Sequence, residues 1–301
     1  MTAELPVIVF VPGIRAKPPA REQQQQLRRC LEHGLLRAGL SNAADISRQL
    51  EVVGWSYHFY GTHADIAPDL QGIEGLLAGS GELETDYNEA RSAMRRFTAA
   101  MYAIGDRFPI ISSLFATRRM ETRVHEINRY FRNQQGEGDF ARGLIKQHLQ
   151  NAWQNNRRVI LMGHSFGSVI AYDALWELSH TEGRSSIDGG ADLFVTMGSP
   201  LTMRYIRRRL KGRGRSNAER YPLNIRNWLN LAAVGEVTAL DRRMSDCFSE
   251  MLDSGLVDTI RDDLELLNQF RGPDGLNVHK CYGYLASQTV AAVVKKFVTD
   301  R

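Results

Sequence analysis

The chain has 301 residues, of which 43% are hydrophobic and 24% are charged, and its formal net charge is +4. These values are ordinary for a soluble globular protein, and the length is sufficient to bury a sizeable core. The three cysteines are odd in number and widely spaced. This pattern argues against a disulfide scaffold and against a Cys-x-x-Cys metal site, and it favours a reducing compartment.

The start of the chain bears on its location. The sequence enters the apolar run "LPVIVFVPG" (5–13) almost at once, and no basic segment precedes an apolar stretch of signal-peptide length. No apolar run reaches the roughly 18 residues that a membrane-spanning helix needs. We therefore expect a cytoplasmic protein, and export by a route that reads no N-terminal signal stays open.

Apolar runs of strand length alternate with helical patterns along the chain, which is typical of βαβ units and a parallel sheet. Strands are predicted at 7–11, 50–57, 158–163, 192–200 and 225–233. Helices are predicted at 20–39, 166–179 and 286–298. The predicted fold class is α/β, with a single domain over 1–301 that has a mostly parallel central sheet and helices on both faces.

The stretch 60–135 interrupts this alternation. After a Gly-rich, acidic loop at 72–84, apolar residues recur at helical spacing over 90–104, and a further helix is predicted at 120–131. A crossover between parallel strands needs only about a dozen residues and a helix. The pattern therefore predicts an insertion of two or three helices before the strand at 158–163. It is either a cap that buries its own apolar stripe or a lid that contacts acyl chains or a membrane interface.

The segment "RRVILMGHSFGSVIAYDAL" (157–175) places a glycine-flanked serine between a strand and a helix. A nucleophilic serine needs such a sharp turn, because its hydroxyl must project above the edge of the sheet. Gly163 and Gly167 let the strand and the helix approach, and the helix N-terminus offers free N–H groups to a developing oxyanion. The alternative is a Gly-Ser turn without chemistry, which the strand–turn–helix order disfavours. Ser165 is therefore the candidate nucleophile.

A basic run lies further along the chain. It contains Arg204, Arg207, Arg208, Arg209, Lys211, Arg213, Arg215 and Arg220, with Glu219 as its single acid. Such a run is either a solvated helix face and loop or a surface that contacts an anionic partner such as phospholipid head groups. Nucleic acid is not expected, because no recognition motif is visible.

The motif "GHSFGSVIAYDAL" (163–175) resembles the nucleophile elbow of the α/β-hydrolase superfamily, and within it the elbow of esterases and intracellular phospholipases. The core elements match over nearly the whole chain. The resemblance implies that Ser165 is the nucleophile and that the backbone N–H of Phe166 is one oxyanion donor. A second donor would come from the loop after the first strand, where Gly13 or Ile14 would supply it.

In the chain order of this superfamily, the acid and then the base follow the serine. Downstream of Ser165 the only histidines are His180 and His279. His180 lies at the far end of the elbow helix, too distant from its start to reach the serine. His279 lies in the loop-like segment "RGPDGLNVHKCYGYL" (271–285), where the superfamily carries its histidine. His164 is adjacent to the serine, but the residue before an elbow serine points away from the hydroxyl. His279 is therefore predicted to be the base.

The acid is expected after the strand at 225–233, within "NLAAVGEVTALD" (230–241). Glu236 is the first choice and Asp241 the second. Either would orient the imidazole and stabilise its charged form. The resulting hypothesis is a serine hydrolase that cleaves carboxylic esters, including lipid or phospholipid acyl esters, with no metal or organic cofactor.

Several alternatives stay open. An acyl thioesterase or acyltransferase would use the same three residues. A non-catalytic binding protein with the hydrolase fold is a second alternative. Such proteins usually lack the serine, the base or the acid, whereas this sequence has candidates for all three. In a third alternative, the protein is a binder of anionic surfaces, and the arginines of 204–220 carry its function.

Overall fold

The computed structural model describes residues 4–79, 83–92, 118–180, 189–236 and 243–300. Within them lies one central sheet of six strands in the spatial order β2-β1-β3-β4-β5-β6. These strands are β1 Val7–Val11, β2 Leu50–Val52, β3 Val159–His164, β4 Ala191–Met197, β5 Ile225–Ala233 and β6 Thr259–Leu266. Every neighbouring pair in this sheet is parallel. The predicted α/β class with a mostly parallel central sheet is therefore confirmed.

Helices fill the connections between the strands. They are α1 Ala20–Arg37, α2 Ala43–Arg48, α3 Ser56–Tyr60, α4 Ala67–Leu77, α5 Leu83–Ala90, α6 Arg118–Arg132, α7 Glu137–Gln154, α8 Gly167–His180, α9 Arg204–Arg207, α10 Met244–Cys247, α11 Ser249–Asp253, α12 Cys281–Ala286 and α13 Gln288–Thr299. A small antiparallel pair, β7 Arg271–Gly272 and β8 Gly275–Leu276, precedes α12. The predicted strand at 50–57 is too long, because it ends at Val52 and its last residues begin α3.

Both faces of the sheet are covered by helices. Successive side chains of a strand point to opposite faces, so the wholly apolar β1 feeds two separate cores. Val9 and its neighbour Leu161 pack with residues of α7 and α8. Ile8 and its neighbour Ile160 pack on the other face with residues of α1, α12 and α13. A sheet buried on both faces explains why its central strands read as continuous apolar runs.

The predicted insertion is helical in its described parts. The loop predicted at 72–84 is wrong over much of its length, because α4 extends to Leu77 and α5 begins at Leu83. The helix predicted at 120–131 lies within α6. Tyr130 on α6 is only 2% exposed and belongs to the core beside α8, so this end of the insertion packs as part of the domain. The other predicted helical segment falls mostly on residues 93–117, outside the described residues.

The strand order creates a crevice at one edge of the sheet. From β1 the chain first adds β2 on one side and later adds β3 on the other side. Helices therefore leave the ends of β1 and β3 in opposite directions, and a gap opens beyond the carboxyl ends of these two strands. In the register of the pair, Val11 at the end of β1 lies beside Gly163. The serine at 165 therefore lies next to the loop that follows β1.

Two helical glycines give opposite predictions for stability. Gly143 on α7 has open space where a side chain would lie, whereas a Cβ on Gly72 of α4 would lie 2.7 Å from the Phe270 ring and overlap the Arg271 carbonyl oxygen. We expect Gly143→Ala to raise the free energy of unfolding by about 0.5–1 kcal/mol, since alanine is the better helix former. Gly72→Ala should lower it by about 1–3 kcal/mol through overpacking. Urea denaturation of both variants tests this, and equal effects would contradict the described packing of α4.

Candidate active site

The turn between β3 and α8 holds Ser165 in a conformation that side-chain-bearing residues rarely adopt. Its φ is +53°, in the left-handed region, which costs a non-glycine residue about 1–2 kcal/mol. The backbone is held on both sides of the serine. Its N–H donates to the Met197 carbonyl at 2.8 Å, and its carbonyl accepts from the Ser168 N–H at 3.1 Å. Strain maintained by surrounding bonds is typical of functional turns.

Three glycines make this turn possible. A Cβ on Gly163 would lie 2.5 Å from Cα of Ser168, and one on Gly167 would overlap the carbonyl oxygen of Val11. Gly13, in the loop after β1, packs directly on the serine, since a Cβ there would lie 2.7 Å from Cβ of Ser165. Strand β3, helix α8 and the loop after β1 therefore pack so closely here that none of the three positions has room for a side chain.

The structure brings together Ser165, His279 and Glu236. Nε2 of His279 lies 3.0 Å from Oγ of Ser165, and Nδ1 of His279 lies 2.8 Å from Oε2 of Glu236. A carboxylate can only accept, so Nδ1 carries the ring proton and Nε2 is left to accept from the serine hydroxyl. This is the geometry in which a histidine can take a proton from a nucleophile.

The other predicted candidates fall elsewhere. His180 is bonded through Nε2 to the Tyr221 carbonyl at 2.9 Å. Asp241, the second choice for the acid, lies outside the described residues.

Glu236 and His279 meet over a glycine that the sequence analysis did not single out. Gly198 follows β4 with a φ of +55°, and a Cβ there would lie 2.9 Å from Oε2 of Glu236 and 3.0 Å from Nδ1 of His279. In the sequence, the one hint of its role is the position of this glycine directly after a strand, in "TMGSPL" (196–201). Glu236 itself is only 6% exposed, and His279 is half-buried.

The predicted oxyanion donors belong to the loop after β1 and to the turn before α8. Within the described part of the chain, no acceptor takes the backbone N–H of Phe166, Gly13 or Ile14. Phe166 immediately precedes α8, whose N-terminus carries a partial positive charge. The Ile14 carbonyl accepts from Nζ of Lys17 at 2.9 Å, which anchors the loop after β1. Burial lowers the pKa of this lysine to about 8.

His164 supports the site from below. Nε2 of His164 donates to the backbone carbonyl of His279 at 2.7 Å, so this ring holds the backbone of His279 and is not bonded to the serine hydroxyl. Burial, followed by the nearby His279, holds the pKa of His164 well below its ordinary value. The ring is therefore neutral, with its proton on Nε2.

The described residues offer neither a metal site nor a membrane-spanning helix. They contain no group of three or more His, Cys, Asp and Glu side chains that could hold a metal ion. In the same part of the chain, no helix combines the length and the apolar character needed to cross a membrane.

The arginine run is partly tied into the fold. Lys211 pairs with Glu177 at 3.1 Å, Arg220 pairs with Glu250 at 3.2 Å, and Arg207 donates to the Cys247 carbonyl. Arg208, Arg209 and Arg213 are exposed. Arg209 and Arg213 donate to main-chain carbonyls at 2.9 and 2.8 Å, and among the described residues no carboxylate pairs with either side chain.

Comparisons of this chain with protein-family models, with curated proteins and with solved structures find no match. The chemistry of the site is therefore argued from its own geometry. That geometry consists of a strained serine, a histidine between the serine and a buried carboxylate, and backbone N–H groups beside them.

Two substitutions of His164 separate its hydrogen bond from its titration. His164→Phe leaves the His279 carbonyl without its donor and should lower the free energy of unfolding by about 1–3 kcal/mol at pH 7.5. His164→Gln keeps an N–H donor and should lose less. Urea denaturation of both variants measures this, and equal losses would contradict the bond as described.

The pH dependence follows from the lowered pKa of His164. The unfolded chain binds a proton at this histidine below about pH 6.5, while the folded protein keeps it neutral, so folding stability falls as the pH drops through that value. For one such group the loss is about 1 kcal/mol between pH 6.5 and 5.5 and approaches about 1.4 kcal/mol per pH unit below that. His164→Gln should remove this contribution between pH 6.5 and 5.5. A wild-type and a variant slope that are identical would contradict the neutral His164.

Proposed function

We propose that this chain is a serine hydrolase of the α/β-hydrolase type that cleaves carboxylic esters through an acyl-enzyme on Ser165. The observation that carries the proposal is the continuous hydrogen-bonded path from Ser165 through His279 to the buried Glu236, with contacts of 3.0 and 2.8 Å. A serine hydroxyl is a weak nucleophile, and a base that is itself oriented by a carboxylate is what activates it.

The acylation step uses these groups in order. Oγ of Ser165 attacks the ester carbonyl carbon while Nε2 of His279 takes the hydroxyl proton, and Glu236 stabilises the resulting imidazolium. The carbonyl oxygen becomes an oxyanion that accepts from the N–H of Phe166 and from that of Gly13 or Ile14. His279 then gives its proton to the departing alkoxide oxygen. The C–O bond of the ester breaks, and the alcohol leaves an acyl-enzyme.

Water completes the cycle in the reverse sense. His279 takes a proton from the water molecule as the water oxygen attacks the acyl carbon. The second oxyanion occupies the same N–H groups, and His279 returns the proton to Oγ of Ser165 as the carboxylic acid is released. A thiol leaving group or an alcohol acceptor in place of water would turn the same site into a thioesterase or an acyltransferase.

Apolar surroundings favour an acyl substrate. The ring of Phe166 lies beside the rings of Tyr130 and Phe131, with centroids 5.2 and 5.9 Å apart in edge-to-face contacts. Phe131 is half-buried, and so is Ile14 in the loop after β1. Phe166 and Tyr130 are buried, so the apolar surface beside the proposed oxyanion donors comes from Phe131 and Ile14, which would suit the hydrocarbon part of a lipid or other acyl ester.

The triad is tested with a fluorophosphonate probe and a panel of p-nitrophenyl esters, phospholipids and acyl thioesters. We expect labelling of wild-type protein at Ser165, none in Ser165→Ala, and a loss of at least about 10³-fold in turnover in that variant. Glu236→Gln should lose about 10³- to 10⁴-fold, and Asp241→Asn less than about tenfold. The reverse order would move the acid to Asp241. Folded wild-type protein that is not labelled would favour the non-catalytic binding protein.

A peripheral contact with anionic lipid is the second part of the proposal, and it rests on exposed arginines that pair with no carboxylate among the described residues. Replacing Arg208, Arg209 and Arg213 with Gln should weaken binding to phosphatidylserine vesicles, by about fivefold for each residue. The matched control is Arg220→Gln, because Arg220 already pairs with Glu250. Vesicle sedimentation at low and high salt measures the effect. Binding that persists at high salt, or that the triple variant does not change, would refute the contact.

A further inference from the structure

A buried tyrosine lies on the far side of the candidate acid. Tyr284 belongs to the short helix α12 and has no exposed surface. Its hydroxyl oxygen lies 3.2 Å from Oε2 of Glu236 and 2.9 Å from the backbone nitrogen of Ala233. The same Oε2 is 2.8 Å from Nδ1 of His279. One carboxylate oxygen therefore faces the histidine and the tyrosine together.

The directions of these bonds follow from the atoms involved. The Ala233 N–H can only donate, so the phenol oxygen accepts from it, and the phenol proton is directed to the carboxylate, which can only accept. Burial, together with the charge of Glu236, raises the pKa of Tyr284 well above its ordinary value. The phenol therefore keeps its proton and acts as a permanent donor.

The tyrosine hydroxyl also joins the two ends of the turn that carries the acid. Ala233 is the last residue of β5, where the register with β6 shifts after Leu231. The turn closes when the Glu236 N–H donates to the Ala233 carbonyl at 2.9 Å, and Gly235 within it has a φ of +80°. The Tyr284 hydroxyl therefore bonds both ends of this turn: the N–H of Ala233 at its start and the carboxylate of Glu236 at its end.

We propose that Tyr284 is a positioning residue of this site, whose hydroxyl holds the Glu236 carboxylate so that Oε2 faces Nδ1 of His279. The inference rests on the proposed serine hydrolase function. The described hydrogen bonds of the Tyr284 hydroxyl go to Glu236 and to the start of the turn that carries it, and none goes to Ser165, so we expect it to act through Glu236. Removing its hydroxyl should change the turnover of bound substrate and leave substrate binding unchanged.

The test is Tyr284→Phe, with Tyr282→Phe as the matched control. Tyr282 is a buried tyrosine on the same helix, where it packs against Phe270. We expect Tyr284→Phe to lower kcat by about tenfold or more, as outer partners of catalytic groups do when removed, with KM unchanged. Tyr282→Phe should leave kcat within about twofold. A wild-type kcat in folded Tyr284→Phe would overturn the inference while leaving the proposed function intact.

A double-mutant cycle separates positioning from general loss of folded protein. In the Glu236→Gln background, Tyr284→Phe should lower kcat by less than about twofold, since the group through which it acts is already gone. Full additivity of the two losses would overturn the inference.

A readout without substrate is the downfield Nδ1–H proton resonance of His279, assigned by its absence in His279→Gln. It should broaden or vanish in Tyr284→Phe and persist in Tyr282→Phe, and a sharp, unmoved signal in Tyr284→Phe would count against positioning.

A second variant serves if Tyr284→Phe does not fold. 3-Fluorotyrosine at position 284 keeps both hydrogen bonds but has a more acidic phenol. Its stronger donation to Oε2 weakens the attraction between Glu236 and the charged imidazole, so the acid limb of the kcat/KM profile should move to lower pH. The same replacement at Tyr282 should leave the limb in place. An unmoved limb for the Tyr284 replacement would overturn the inference.

Discussion

The left-handed backbone at Ser165 is the constraint on which the rest of the site depends. A serine with a φ of +53° turns the chain sharply enough for β3 to lead directly into α8. This turn brings neighbouring backbone segments so close together that residues 163 and 167 must be glycine, because a Cβ at either position would overlap that backbone. The strand order then places the loop after β1 beside the serine, because the chain changes direction between β1 and β3. The strain and the close packing are consequences of one turn, and the crevice beside it is a consequence of the strand order.

The helix that begins at this turn is anchored by buried polar groups. Tyr130 on α6 donates its hydroxyl proton to Asp173 on α8 at 2.9 Å, and the Lys211 N–H donates to the other carboxylate oxygen at 2.8 Å. Arg142 on α7 donates to Glu177 on α8 at 2.7 Å and to the Tyr130 hydroxyl at 3.1 Å. Burial raises the pKa of Asp173 to about 6, and these bonds offset much of its desolvation. The network joins α6, at the end of the insertion, to α8, and it holds Tyr130, whose ring packs against Phe166.

Local pattern was sufficient to predict the alternating strands and helices, because strands buried on both faces read as continuous apolar runs. It failed at β6, which lies at the sheet edge with a polar, half-exposed sequence, as edge strands do when they resist further pairing. The sequence also singled out Ser165, Glu236 and His279, and the structure places these three in hydrogen-bond contact. It did not point to Gly198 or Tyr284. Their importance comes from contacts between distant segments, and no spacing along the chain encodes such contacts.

The preference for Glu236 as the candidate acid rests on the same three-dimensional contacts. Glu236 lies in a tight turn that its own N–H closes on Ala233, so the position of its backbone is fixed. From there one carboxylate oxygen must reach both Nδ1 of His279 and the hydroxyl of Tyr284, at 2.8 and 3.2 Å. Aspartate would place its carboxylate one carbon closer to the turn and could not meet both donors without moving the backbone. The absence of a side chain at Gly198 leaves room for the longer residue. A glutamate at this position is therefore the choice that the turn, the glycine and the tyrosine together require.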